Sequence, residues 1–153
     1  MKKYLKRILL ILGLILLLLQ FYQPARNNSY EQVTPMNIAN IYNIPEDVQN
    51  MLSTSCYDCH SNNTQYPWYS YIQPPRLIME NHIKKGKADL NFSEFGSYSK
   101  RKMENKLDRI VKQINADEMP LASYTMIHKD AILNTTQKEQ IIIWINSTKN
   151  NNE

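Results

Sequence analysis

Cys56-Tyr57-Asp58-Cys59-His60 puts two thiols three residues apart and an imidazole directly after them, using both cysteines of the chain. Residues three apart share a face of a helical turn. From there each sulfur can form a thioether with one of the two vinyl groups of a haem. C-x-x-C-H is the attachment pattern of c-type haem, and His60 is then held under the iron as proximal ligand. Other chemistries of C-x-x-C fit less well. A thioredoxin-like redox pair belongs beside a βαβ pattern, and no such alternation is present. A zinc site wants four ligands, usually with a second paired group, whereas His82 and His128 are isolated in the sequence. A plain disulfide leaves His60 without a role.

Covalent haem attachment in bacteria happens outside the cytoplasmic membrane, and the N-terminus agrees with that. Lys2, Lys3, Lys6 and Arg7 precede a run of Ile and Leu from Ile8 to Leu19, broken only by Gly13, with Phe21 and Tyr22 beyond it. A basic start and an apolar run make an export signal. No small-residue cleavage site comes after the run, so residues 1–22 are expected to be an uncleaved anchor. Ile8 to Tyr22 spans about 22 Å as a helix, short of a ~30 Å hydrocarbon core. Tyr4 and Leu5 extend it, Lys6 and Arg7 can snorkel, and Tyr4, Phe21 and Tyr22 suit an interfacial aromatic belt. The positive-inside rule places the chain beyond Tyr22 outside the inner membrane, in the periplasm, where oxidising conditions prevail.

The formal net charge of +4 equals the contribution of those four N-terminal cations, so the remainder is balanced. The high pI is therefore a property of the anchor, not a nucleic-acid footprint.

Residues 23–43 are rich in Asn, Gln, Ser and Pro and read as a tether, with Ile38, Ile41, Tyr42 and Ile44 suggesting that its end packs on the domain beyond it. Residues 44–150 read as one small all-helical domain to which a buried haem would add an apolar centre. Pro45-Glu46-Asp47 opens a helix that carries Val48, Met51, Leu52 and Ser55 into the C-x-x-C-H turn. Tyr66-Pro67-Trp68-Tyr69-Ser70-Tyr71 is an aromatic cluster. Pro74-Pro75 starts a helix expected to stop at Gly86. From Ser99, the residues Met103, Leu107, Ile110, Val111 and Ile114 mark one face of an amphipathic helix. Asp117 to Asn134 is irregular. Thr136 to Glu139 has the form of a capping box before a last helix through Ile141–Ile145, expected to be buried on more than one face.

A helix leading into C-x-x-C-H, a Met-Pro pair and a terminal apolar helix together resemble cytochrome c. More closely, the chain resembles the haem-binding domain family of small membrane-anchored bacterial proteins. The likeness is carried by Cys56 to Thr64, Tyr66 to Ser70, Leu90 to Phe95 and Glu118 to Tyr124, and it runs from about Gln20 to Trp144. It implies a cytochrome-c-like helical fold around one covalent haem c per chain.

The sixth ligand decides the chemistry. Met119 is the first candidate: it lies in the irregular segment, off any helical stripe, and precedes Pro120. The resemblance to cytochrome c also favours a Met-Pro here. A thioether opposite His raises the reduction potential and closes the iron, whereas Met more commonly fills gaps in a core. Met126 is a weaker candidate, and His82 and His128 are the bis-His alternatives. Trp68, Tyr66 and their neighbours offer rings and donors to a haem, and Arg76 offers a cation to a propionate; an ordinary aromatic core with a solvated Arg reads equally well. The leading expectation is a membrane-tethered electron-transfer module, not an enzyme, serving redox partner proteins and loaded by the haem attachment machinery. The alternatives are a sensor or peroxidase-like enzyme with an open iron, its distal groups drawn from His82, His128 and Arg76, and a thiol or zinc domain without haem.

Overall fold

The computed structural model describes residues 1–29 and 34–150; residues 30–33 of the expected tether, and 151–153, lie outside the described residues. Among the described residues the fold is all-helical, with a single isolated β-bridge between Asn28 and Asn63. The α-helices are α1 (Lys2–Leu19), α2 (Ile38–Ile41), α3 (Glu46–Ser55), α4 (Tyr57–His60), α5 (Pro75–Asp89), α6 (Lys100–Asn115), α7 (Ala122–Thr125) and α8 (Thr135–Asn150). Short 3₁₀ turns cover Trp68–Tyr71, Phe92–Ser97 and Lys129–Ala131.

The core forms where α8 packs against both α3 and α6. Val48, Leu52 and Ser55 are the buried side of α3, at spacings of four and three. Leu107 and Ile114 are the buried residues of α6, flanked by partly buried Met103, Ile110 and Val111. On α8 the buried positions are Ile141, Trp144, Ile145 and Thr148, a single stripe, while Ile143 is exposed. The expectation of burial on several faces is thus corrected: a helix against two neighbours on one side buries one wide face. Trp144 satisfies its indole by donating to Asn43 O at 3.1 Å. The capping box is also displaced. Asn134 Oδ1 accepts from the Gln137 N–H and Gln137 Oε1 accepts from the Asn134 N–H, both at 2.9 Å. The reciprocal pair therefore sits two residues before the expected one.

The helix that begins at Pro75 does not stop at Gly86; α5 continues to Asp89. Gly86 serves another purpose. A Cβ on it would stand 2.6 Å from the Cys59 carbonyl oxygen and 3.2 Å from Cys59 Cβ. Glycine lets α5 lie directly on α4.

At the N-terminus no helix among the described residues is long and apolar enough to cross a membrane. α1 has 18 residues, but its cations occupy the first turns and it ends at Leu19, with Gln20 and Phe21 in a turn. Its uninterrupted apolar part, Ile8 to Leu19, is about 18 Å long. The transmembrane helix expected over residues 1–22 is not found in that form. The segment after it, read as a tether packing on the domain only at its end, is bonded to the domain from its start. The Gln73 N–H donates to Gln20 Oε1 (3.0 Å), Gln73 Nε2 donates to Tyr22 O (2.6 Å) and Arg76 Nη2 donates to Pro24 O (2.5 Å). The Thr64 N–H donates to Asn27 O and the Ser29 N–H to Asn62 O. Ile38 is fully buried in the core, so packing begins ahead of residue 44.

Gly86→Ala tests the close approach. In an exposed helix interior this change gains about 0.5–1 kcal/mol. Here overpacking against backbone outweighs that, and the urea midpoint should fall by the equivalent of about 1–3 kcal/mol. An unchanged or raised midpoint would contradict the contact.

Candidate functional site: a cavity over the Cys-x-x-Cys-His turn

Cys56 breaks the helix between α3 and α4, with φ −127° and ψ −40°. The backbone then re-enters a helical turn, closed by Cys59 N–H and His60 N–H to Cys56 O (3.2 and 3.0 Å). Both cysteines are free thiols. Burial pushes the Cys56 thiol up to about 12 and the Cys59 thiol up to about 11, with the charges of Cys59 and Asp58 adding to each in turn. Both are held protonated at neutral pH.

His60 is oriented by backbone. Its Nδ1 is 3.0 Å from Gly86 O and 3.0 Å from Leu90 O. Carbonyl oxygens only accept, so Nδ1 carries the ring proton and Nε2 keeps the lone pair. Burial lowers the His60 pKa against the upward pull of the two carbonyls, which favours the neutral ring a metal needs. Phe92 packs edge-on to the imidazole, with centroids 6.3 Å apart.

Two adjoining cavities, about 420 and 70 Å³, open over this turn and share Ser55, Cys56, His60, Asp89, Arg109, Gln113, Met119 and Pro120. The larger volume lies in the range of cofactor pockets. Leu90, Phe92, Ile110, Ile114 and Leu133 give the smaller one an apolar lining. Cys59, His82, Lys85 and Tyr124 line the larger. Cys56, Cys59, His60 and Met119 therefore face one space.

Met119 is brought there by the end of α6. Asp117 takes a left-handed conformation (φ 56°), the Asp117 N–H bonds Ile114 O, and the Glu118 N–H bonds Gln113 O. This Schellman closure reverses the chain. The segment is fastened from the other side by α7: Tyr124 Oη donates to Asp58 Oδ2 at 2.8 Å, while Asp58 Oδ1 accepts from the Gln65 N–H at 2.9 Å. Burial first, then Asp58, hold the Tyr124 phenol well above its usual pKa, so it stays a donor. Asp58 thus ties the attachment turn to the segment bearing Met119.

The remaining candidates are placed elsewhere. Arg76 is buried and engaged, with Nε 3.0 Å from Glu80 Oε1 and Nη1 donating to Ser70 O. Tyr66 accepts from the Asn27 N–H and donates to Glu80 Oε1. Trp68 is 75% exposed. None of the three lines the cavity, which corrects their expected places around a haem: Arg76 and Tyr66 join the N-terminal segment to α5, and the ring of Trp68 meets that of Tyr69. His128 is also outside it, stacked on Tyr124 (centroids 4.2 Å) with Nε2 2.7 Å from Tyr69 Oη. Met126 is exposed and outside as well. His82 alone of the rival histidines lines the cavity.

Sequence reasoning missed the cations at the rim. Arg109 Nη1 and Lys106 Nζ lie 2.6 and 3.3 Å from Asp89 Oδ1, and all three border the smaller cavity. Lys106, Arg109 and Gln113 recur at helical spacing beside the apolar stripe of α6, and that spacing could have found them. It also missed the polar bracket on Asn62, whose side chain joins Asn91 and Glu94 (both 2.8 Å) while its N–H reaches Ser93 Oγ (3.0 Å). A structural zinc wants four N, S or O ligands, and among the described residues no group of three or more His, Cys, Asp or Glu is gathered.

Compared with known proteins, the chain matches the model of the haem-binding domain over residues 14–147. It belongs to the haem-binding domain family. No curated protein and no solved structure gives a significant match. The matched span includes every residue of the cavity. In this haem-binding protein the donor set fits the group: two thiols, an imidazole with a free Nε2, an apolar wall and cations at the mouth.

Tyr124→Phe keeps the ring and its stacking on His128 but removes the bond to Asp58. Losing a hydrogen bond to a charged acceptor costs about 1.5–3 kcal/mol, read as a lower urea midpoint at constant slope. An unaltered midpoint would show that the tie carries no weight.

Proposed function

We propose that this chain is a c-type haem protein that carries single electrons, with His60 and Met119 as axial ligands. The observation that carries the reading is the convergence of Cys56, Cys59, His60 and Met119 on one cavity. Haem iron, when bound, supplies one-electron exchange. The chain's residues do the rest. Cys56 and Cys59, kept protonated by burial, would hold the haem, each thiol adding sulfur to one carbon of a vinyl group and its proton to the other. His60 offers Nε2, aligned by Gly86 O and Leu90 O. Met119, on the segment after α6, would offer its thioether to the same iron, and a thioether there would raise the potential and close the iron to outside ligands. Lys106 and Arg109 are the cations available to the propionates. The apolar wall excludes water.

The reading includes a cytochrome-c-like arrangement, one haem per chain, and a domain held by α1 at the periplasmic face of the inner membrane. Lys6 and Arg7 would snorkel to lengthen the short apolar span. Attachment requires the haem attachment machinery of that compartment, and redox proteins are the partners. An enzyme or sensor with an open iron is less well supported, because Arg76 and His128 stand outside the cavity. His82 on the cavity wall favours bis-His ligation as the second reading.

The oxidised protein is expected to show the near-infrared band of a methionine-to-iron charge transfer, and Met119→Ala to lose it. A parent without the band, or a variant that keeps it, would overturn Met119 as ligand. In that case loss of the bis-His spectrum in His82→Ala would identify the alternative. Rapid cyanide or carbon monoxide binding by the parent would point to an open iron.

A further inference from the structure

The protein carries an exposed apolar face that the haem cavity does not use. Trp68, Tyr71, Ile72, Leu77 and Ile78 are all solvent-exposed and lie on the 3₁₀ turn Trp68–Tyr71, the link after it and the first turn of α5. Exposed apolar patches on this scale mark contact surfaces. Its position is set by the N-terminal segment. Gln20, Tyr22 and Pro24 are hydrogen-bonded to Gln73 and Arg76. The end of the apolar helix α1 and this face are therefore neighbours, and exposed Phe21 and Tyr22 adjoin both.

The chemistry of the face selects among occupants. Trp and Tyr mixed with Ile and Leu are the residues of a membrane interface. The sequence has no Asp or Glu from Met1 to Tyr30, and none between Asp58 and Glu80. Arg26 sits over the Tyr71 ring at 4.4 Å and donates to its hydroxyl at 3.2 Å, a cation at the edge of the face. An apolar surface whose own segments carry no carboxylate, and which is rimmed by a guanidinium, suits phosphate headgroups over acyl chains; Asp58 and Asp130 line, with Pro67, a separate cavity. The apolar part of α1, about 18 Å, is short for a ~30 Å core, so a second contact with the same bilayer has something to add.

We propose that Trp68, Tyr71, Ile72, Leu77 and Ile78 rest on the phospholipid surface that holds α1, so that the domain is seated on the membrane and does not swing from it. This rests on α1 being the membrane anchor. The seat is rigid, because residues 20–29 are bonded to α5 and to the loop after His60. It fixes the height and tilt of the cavity above the bilayer.

Hydroxyl-radical footprinting of the full haem-loaded chain in phosphatidylcholine–phosphatidylglycerol vesicles tests this with internal standards. Met126 is 70% exposed and gives the water-facing level; Trp144 is 5% exposed and gives the buried level. The proposal predicts that Trp68, Tyr71 and Ile78 label near the Trp144 level while Met126 and Ile143 label freely, and that the pattern is unchanged when the protein is diluted to one chain per vesicle. Strong labelling of Trp68 on vesicle-bound protein would overturn the seat while leaving the anchor in place. Protection that disappears on dilution would also overturn it, with a second copy as the occupant. Protein that fails to float with the vesicles would overturn the anchor and the seat together.

Discussion

The structure depends on one close approach: α5 crossing α4 at Gly86. A side chain there would strike the Cys59 carbonyl, and without that approach Gly86 O and Leu90 O could not both stand 3.0 Å from His60 Nδ1. Those two bonds fix the imidazole's tautomer and direction. They also determine which way the free Nε2 of the imidazole faces. The turn's other wall, Phe92, comes directly from the same crossing, because the chain leaves α5 at Leu90 and folds beneath the imidazole.

The segment with Met119, which lines the same cavity, is held at both ends. The left-handed Asp117 ends α6 and turns the chain back, and Tyr124 fastens α7 to Asp58 inside the Cys-x-x-Cys-His turn. One residue between the two cysteines thereby links the two walls of the cavity. This explains why the polar identity of Asp58 matters in a motif usually described by its cysteines and histidine alone. The Asn62 bracket does the same on the third side, joining the loop after His60 to the segment Asn91–Glu94.

Much of this was legible in the sequence, and the failures share a cause. Local signals worked where local physics decides: the apolar stripe of α6 and the acidic start of α3; the two thiols, the imidazole and Met119 line one cavity. They misled where a distant contact decides. Gly86 reads as a helix stop unless it is known what lies against it. Arg76 and Tyr66 read as haem neighbours because a cation, a ring and a donor suit that group, yet Glu80, Ser70 and the N-terminal segment claim them. Among the residues that read as a tether, Asn27 and Ser29 bond the domain through side chain and backbone, which composition alone cannot distinguish from solvation. The rim cations Lys106 and Arg109 were readable from spacing on α6, but only α5 supplies Asp89 to hold them at the cavity.

The central claim is that this geometry receives one haem through both thiols. Intact mass measurement of the full chain, matured with a c-type attachment system and then stripped with acidic acetone, tests it most directly. The account predicts a mass increased by one haem that survives stripping, with neither Cys56 nor Cys59 open to alkylation. An unmodified mass, or a thiol that still alkylates, would contradict it.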